Sequence, residues 1–480
     1  MRFYYIIFLI FLATQTNVFS QVGIGNTDPD PSSILDITSS TQGMLTPRMT
    51  TAQRTAITTP AQGLLVFDTD LNAFYFYDST LSDWRKMITD SVERDNYVLV
   101  KSVADLPAES GGVITLDENT YYEINGEITL AFPIDLNDAY ISGLDANEDK
   151  LIAATGNIFS GSNGGSVRNL SLEATTGSIF SLSGSLTQTL LFQNCIVSSS
   201  SSVGSITSFG LVFMNIIQFV GNTDGITFTS GGNILLSNLG WFGNNTGTFE
   251  TYTGTFGLIE KVSGFSNVPT GAIGIDVSSN PTVTNGVISS TPFTGAGTYV
   301  DGYTTGSYVG FDFSNVWDVN CPGLKVENDD SAAGDFYFSG SLTSGFGQTI
   351  SDPAEEIDGG TFASNRLFRF SVPTGQGNNR LVYDGLATRQ FQVSASLSIR
   401  ISSALNNFFA VVIYKNGIEV TESNALVYID ATNGDTQIQN VAISAIVELS
   451  TNDYIEIYID RLTGTSNDNL SVFSEVLTIK

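Results

Sequence analysis

The chain has 480 residues, no histidine, only 14% charged residues and a formal net charge of −29. The missing histidines exclude Ser-His-Asp and Cys-His nucleophiles and His-ligated zinc, and the acidity excludes a nucleic-acid binder, which must neutralise phosphates with Lys and Arg. Abundant Gly, Ser, Thr and Asn point to short strands joined by many turns.

"MRFYYIIFLIFLATQTNVFSQ" opens the chain. Arg2 supplies a positive start, Phe3 to Ala13 an apolar core and Ser20 a small residue before Gln21, the pattern of a signal peptide over residues 1–20. That apolar core is short for a membrane span of ~20 residues, so export is expected, with no integral membrane segment after cleavage.

Residues 21–89 read as a small N-terminal attachment module. "GLLVFDTDLNAFYFYD" predicts a hairpin, with strands at Leu64–Phe67 and Phe74–Tyr77, and "MTTAQRTAI" predicts one short helix. So small and turn-rich a segment gains burial by association with copies of itself. "VGIGNTDP", "SSILDI", "GMLTPRMTTAQRTAI" and "GLLVFDTD", in this order, resemble a module of exported Bacteroidetes proteins and of phage tail-fibre-like proteins. The resemblance covers Val22 to Lys86 and implies a surface or fibre protein. Residues 90–112 read as a polar connector that includes a short helix.

Residues 113–345 form the body. From Ala174 to Thr223 there is no Asp, Glu, Lys or Arg, yet Gly and Ser interrupt the stretch too often for a membrane span. "VRNLSLEA", "FQNCIVSS", "FMNIIQFVGN" and "LSNLGWFGN" place Asn169, Asn194, Asn215 and Asn238 at intervals of 25, 21 and 23 residues. A period of 20–30 residues with a strand per unit indicates a solenoid. Leucine-rich repeats share the period, but Ser- and Gly-rich intervals such as "SSSSSVGSITSFG" carry no helical pattern. The expected fold is therefore a right-handed parallel β-helix, with an Asn ladder at one corner, where Asn tolerates left-handed backbone. "SNVWDVNCPGLKVEN" and "GDFYFSGS" read as further rungs. The stretch from Gly143 to Ser341 resembles β-helical bodies of phage tail-spike-like proteins.

Residues 346–480 change texture. "RQFQVSASLSIRI" alternates apolar and polar, "VIYKNGIEV" holds an Asn416-Gly417 turn, and "VAISAIVELSTNDYIEIYID" and "LSVFSEVLTIK" add strands. This predicts an antiparallel sandwich, a jelly roll. It resembles the C1q/TNF-like jelly roll, which implies a homotrimer.

The search for chemistry returns little. Glu173, Asp224, Glu250, Asp276, Asp301, Asp312 and Glu327 could supply the carboxylate pair of a glycosidase, but their spacing singles out no pair, and a solvated turn is the plainer reading of each. Cys195 and Cys321 read as buried free thiols. No cofactor is expected; calcium is the one ion that "DANED" and "ENDDS" could hold, although neither follows the EF-hand pattern. For a glycan or cell-surface ligand, the aromatic candidates are Tyr299, Tyr303 and Trp241, with ring packing in the core as the plainer reading. The sequence thus predicts an all-β, non-enzymatic, trimeric fibre-like adhesion or structural protein, secreted or at the outer cell surface. A virion fibre component and a tail-spike-like polysaccharide depolymerase are the alternatives.

Overall fold

The computed structural model describes residues 21–87 and 96–480, apart from 352, 374–378, 403–405 and 431–436. The leader expected over residues 1–20 lies outside the described residues. The chain divides into two units, one ending at Asp95 and the other spanning Asn96–Lys480.

In the first unit, Val22–Ile24 pairs in parallel with Leu35–Ile37. The expected hairpin is present as Leu65–Asp68 against Ala73–Asp78, extended by Asp83–Lys86. The short helix is Thr51–Thr55, started by a capping box in which Thr50 and Gln53 satisfy each other's backbone N–H. Arg54 of that helix is buried against Asp68, Nε to Oδ2 2.8 Å, with its guanidinium 4.0 Å from the Tyr75 ring centroid. The unit leaves Ile24, Ile34, Leu35, Met44 and Leu45 exposed.

The second unit begins with a parallel β-helix of about nine turns. Its strands stack in three columns, each rung in parallel register with the next, as in Thr189–Ser198 on Ser202–Val220 and Ser202–Val220 on Ile226–Trp241. Alternate side chains point inward and fill one continuous apolar core, from Val100 to Cys321. The first strand is Tyr97–Val100, inside the stretch expected to be a connector. Only a single 3-10 turn, Val103–Asp105, represents the expected short helix there.

The antiparallel part begins at Ala333, earlier than the expected boundary at residue 346. "GDFYFS" alternates as a rung would, but Ala333–Ser339 pairs antiparallel with the last strand, Asp468–Ile479, and is a strand of the sandwich. One sheet carries Ala333–Ser339, Asp468–Ile479, Arg389–Ser402 and Gln439–Leu449; the other carries Leu381–Tyr383, Tyr454–Arg461 and Asn407–Lys415. The Asn416-Gly417 turn is formed as predicted, with both residues left-handed (φ +53° and +74°) and a two-residue loop between Lys415 and Ile418.

Candidate functional site

The corners of the β-helix decide which side chains reach solvent. Register places Asn169, Asn194, Ile216, Asn238, Ser263 and Ser290 at one corner on successive coils. All six are left-handed, with φ between +52° and +63°. Asn194 Nδ2 donates to Asn169 Oδ1 at 3.3 Å, one step of the expected ladder. Asn215 is not in it: it pairs with Gln193 and Ser237, one residue before the corner, which Ile216 occupies. The 21-residue interval from Asn194 to Asn215 was one short of the 22 from Asn194 to Ile216 that the coil register requires.

A second ladder is buried and carries more hydrogen bonds. Ser200 N donates to Asn222 Oδ1 (3.1 Å), and Asn222 N and Nδ2 both donate to Asn245 Oδ1 (2.9 and 3.0 Å). Asn245 Nδ2 closes the chain on the Phe219 carbonyl at 2.7 Å. The signal was in the sequence: "FVGN" is followed on the next coil by "WFGNN", whose second Asn, Asn245, lies 23 residues after Asn222.

Two of the residues singled out from the sequence lie inside the core. Trp241 is fully buried, stacked between Phe219 and Phe249 (centroids 3.9 and 4.7 Å away). It cannot present its ring to a glycan, and the ring-packing alternative is the correct one for this residue. Glu250, read as a solvated turn, is 1% exposed and points inward. It receives Trp241 Nε1 at 2.8 Å, Tyr252 OH at 3.1 Å and Lys261 Nζ at 2.6 Å. Trp241, Glu250 and Lys261 come from the three different columns, so one buried ion pair with its donors ties all three walls together. Burial, then the Glu250 charge, hold the Tyr252 hydroxyl well above its ordinary pKa.

Both cysteines are free and buried. Burial pushes the Cys195 thiol up to about 12 and the Cys321 thiol up to about 11, which makes both poor nucleophiles.

Tyr299 and Tyr303 are half-buried at the last coils. The Tyr299 hydroxyl donates to the Gly295 carbonyl (2.9 Å); that of Tyr303 donates to Pro281 O (2.7 Å) and accepts from Trp317 Nε1 (3.1 Å). Each donates to the protein's own backbone, and each ring packs half-buried against the core.

Among the acidic candidates the structure brings Asp276 and Asp301 together. They are register partners on neighbouring rungs, ~4.8 Å apart along the stack. They continue a row that points outward as Ser181, Ser205, Thr227 and Thr251, beside a parallel row of Ser183, Thr207, Thr229 and Thr253. One wall of the β-helix is therefore a continuous hydroxyl surface ending in two carboxylates, a composition suited to hydrogen-bonding sugar hydroxyls. Asp276 Oδ1 accepts from Ser278 N and Oγ (2.9 and 2.7 Å), and Asp301 is exposed. Glu173 lies elsewhere, beside Lys150 and Asn147 in a 230 Å³ recess, and Asp224 caps the turn at Thr248.

Glu327 and Asp312 meet where the β-helix joins the sandwich. Glu327 is buried and accepts from Asp312 N (2.8 Å) and Phe313 N (2.9 Å); burial raises it to about 7 despite those bonds. Arg369, reaching from the sandwich, donates through Nη2 to the carbonyls of Trp317 (2.5 Å) and Glu327 (3.1 Å), and its Nε lies 3.2 Å from Asp329 Oδ1. Asp329 also accepts from Leu386 N and Ala387 N, both at 2.7 Å. In "DANED", Asp149 likewise accepts from Gly126 N and Leu144 N (2.8 and 2.7 Å). These acids are engaged in holding turns and the junction. Among the described residues, no group of three or more His, Cys, Asp or Glu is placed to hold a metal ion.

Residues 23–102 match the family described as a phage tail like trimerisation region. No curated protein matches the chain. Among solved structures, the chain is similar to the enzymatically active domain of bacteriophage CBA120 tailspike protein 4 (10% identity, 91% of this chain and 77% of that chain, TM-score 0.20). It is also similar to the Eiger TNF of S. frugiperda (14% identity, 31% and 91%, TM-score 0.21) and to the PRD1 vertex protein P5 (10% identity, 31% and 96%, TM-score 0.20). No helix among the described residues is long and apolar enough to cross a membrane.

Proposed function

We propose that the chain is the subunit of a trimeric, fibre-like structural protein that binds a glycan or cell-surface ligand without cleaving it. The observation that carries this reading is the match of residues 23–102 to a trimerisation region, directly followed in sequence by a stiff β-helix. The exposed Ile24, Ile34, Met44 and Leu45 agree with it, because a unit this small hides such side chains by joining copies of itself. In this reading residues 21–87 gather the copies, the β-helix is the shaft, and the sandwich follows it in the chain. Three weak sites on one particle then act together. The match to a phage tail region supports a virion setting; the signal-like leader supports a secreted or surface-bound one.

Light scattering on the full chain tests the assembly: three copies per particle are expected, and a monomer removes the reading. Mass spectrometry of purified virions, cell envelope and medium decides the setting.

The neighbouring Asp276 and Asp301 favour one second reading, a polysaccharide depolymerase. Retaining glycosidases place their carboxyls ~5–5.5 Å apart. Incubation with capsular or exopolysaccharide is expected to release no reducing or unsaturated ends. Release that disappears in Asp301→Asn would replace the binding-only account by the enzymatic one.

A further inference from the structure

The three walls of the β-helix differ in what they show to solvent. The wall bearing Asp276 is lined by Ser and Thr. The wall built from residues 189–193, 211–215, 233–237, 258–262 and 285–289 carries an apolar stripe among amide and hydroxyl side chains. Its inward residues fill the core, yet its outward residues include Leu191, Leu211, Phe213, Leu235, Leu258 and Val287, all half-buried. Leu191, Phe213 and Leu235 are register partners, stacked one above another on three consecutive coils. Across five coils, ~20 Å of shaft at ~4.8 Å per rung, the one charged outward side chain among these residues is Glu260.

We infer that this apolar wall is the face the three copies turn toward each other along the shaft. The inference rests on the trimeric reading above and specifies which surface makes the assembly. Two observations select a second copy as the occupant. The matched trimerisation region ends at residue 102, just past Tyr97–Val100, the first rung of the same column, so copies joined there start their shafts at the same rung and this column leads into the apolar wall. The chain also carries −29, so like copies repel wherever charged faces meet and join best through a face with little charge; the hydroxyl wall is uncharged over the same coils, so it is the stacked Leu191, Phe213 and Leu235, which gain by leaving water, that single out this wall. Around a three-fold axis equal rungs lie at equal height, so Leu235 of one copy faces Leu235 of the others. The hydroxyl wall with Asp276 and Asp301 is then left outward for ligand.

The test uses the full chain with Leu235→Cys and, as a control on the hydroxyl wall, Thr227→Cys. The two native cysteines are buried and do not interfere. Particle mass is measured first by light scattering, and a short bismaleimide is then added. Three copies per particle, with linked dimers from Leu235→Cys and none from Thr227→Cys, is the expected result. Three copies with Leu235→Cys unlinked, or with Thr227→Cys linked instead, overturns the assignment of the face and leaves the trimer standing. A monomeric particle overturns both.

Discussion

Lys261 Nζ lies 2.6 Å from Glu250 Oε1, with both side chains closed off from solvent in the middle of the β-helix. A buried ion pair adds little net stability, but removing one partner leaves an uncompensated charge. Lys261→Met is therefore expected to cost about 3–5 kcal/mol. Adding Glu250→Gln should recover most of it, because the amide oxygen still accepts from Trp241 Nε1. Thermal midpoints of the two single variants and the double variant check this. Additive losses would show that the pair is not coupled.

Ile216 is a β-branched residue at φ +56°, in a column where its neighbours above and below are asparagines. Left-handed backbone costs an ordinary side chain ~1–2 kcal/mol, and Ile216 is half exposed, so little packing offsets it. Ile216→Asn is expected to stabilise the shaft by about 1 kcal/mol, through relief of strain and by placing an amide between Asn194 and Asn238. A lower melting temperature than wild type would show that the Ile216 side chain contributes more by contact than the backbone loses.

These two sites also mark how far the sequence could be read. The period of the coils was legible because Asn tolerates the left-handed corner, and Asn169, Asn194 and Asn238 do stand there. The corner at Ile216 was not legible, since its geometry is imposed by the coils on either side and not by its own preference. Glu250 reads as a turn because a carboxylate usually marks solvent; its partner Lys261 stands on a different wall, and neither residue alone announces the other. "GDFYFS" has the alternation of any half-buried strand, and only its pairing with the C-terminal strand assigns it to the sandwich. The row of Asp276 and Asp301, and the contrast between a hydroxyl wall and an apolar wall, appear once the register is known, because their members are about 25 residues apart in the chain.

Asn222 is 1% exposed and links the coils above and below it. Asn222→Ala leaves Ser200 N without its acceptor and removes the side-chain donor to the Val197 carbonyl. A buried group left unsatisfied costs ~1–3 kcal/mol, so this variant should destabilise the shaft by that order or more. Hydrogen exchange should rise in residues 196–203 and 219–226 ahead of the rest. Uniform protection across those segments would show that the ladder is not needed to hold the coils in register.

Glu475 supplies a pH dependence of definite sign. Its side chain points into the sandwich between Phe338 and Leu397 on the neighbouring strands, is 1% exposed, and neither carboxyl oxygen has a hydrogen-bond partner among the described residues. Burial alone holds it well above the ordinary carboxylate pKa, so the folded protein keeps the proton that the unfolded chain releases near 4.3, roughly. Between those two values the unfolded state binds fewer protons, and stability falls as pH rises. The sandwich is accordingly most stable at or below about pH 4 as far as this group is concerned. Glu475→Gln cannot ionise and is expected to match wild type near that pH while unfolding at higher temperature at pH 8. A variant that gains nothing at pH 8 would mean that Glu475 is ionised and compensated in the folded protein.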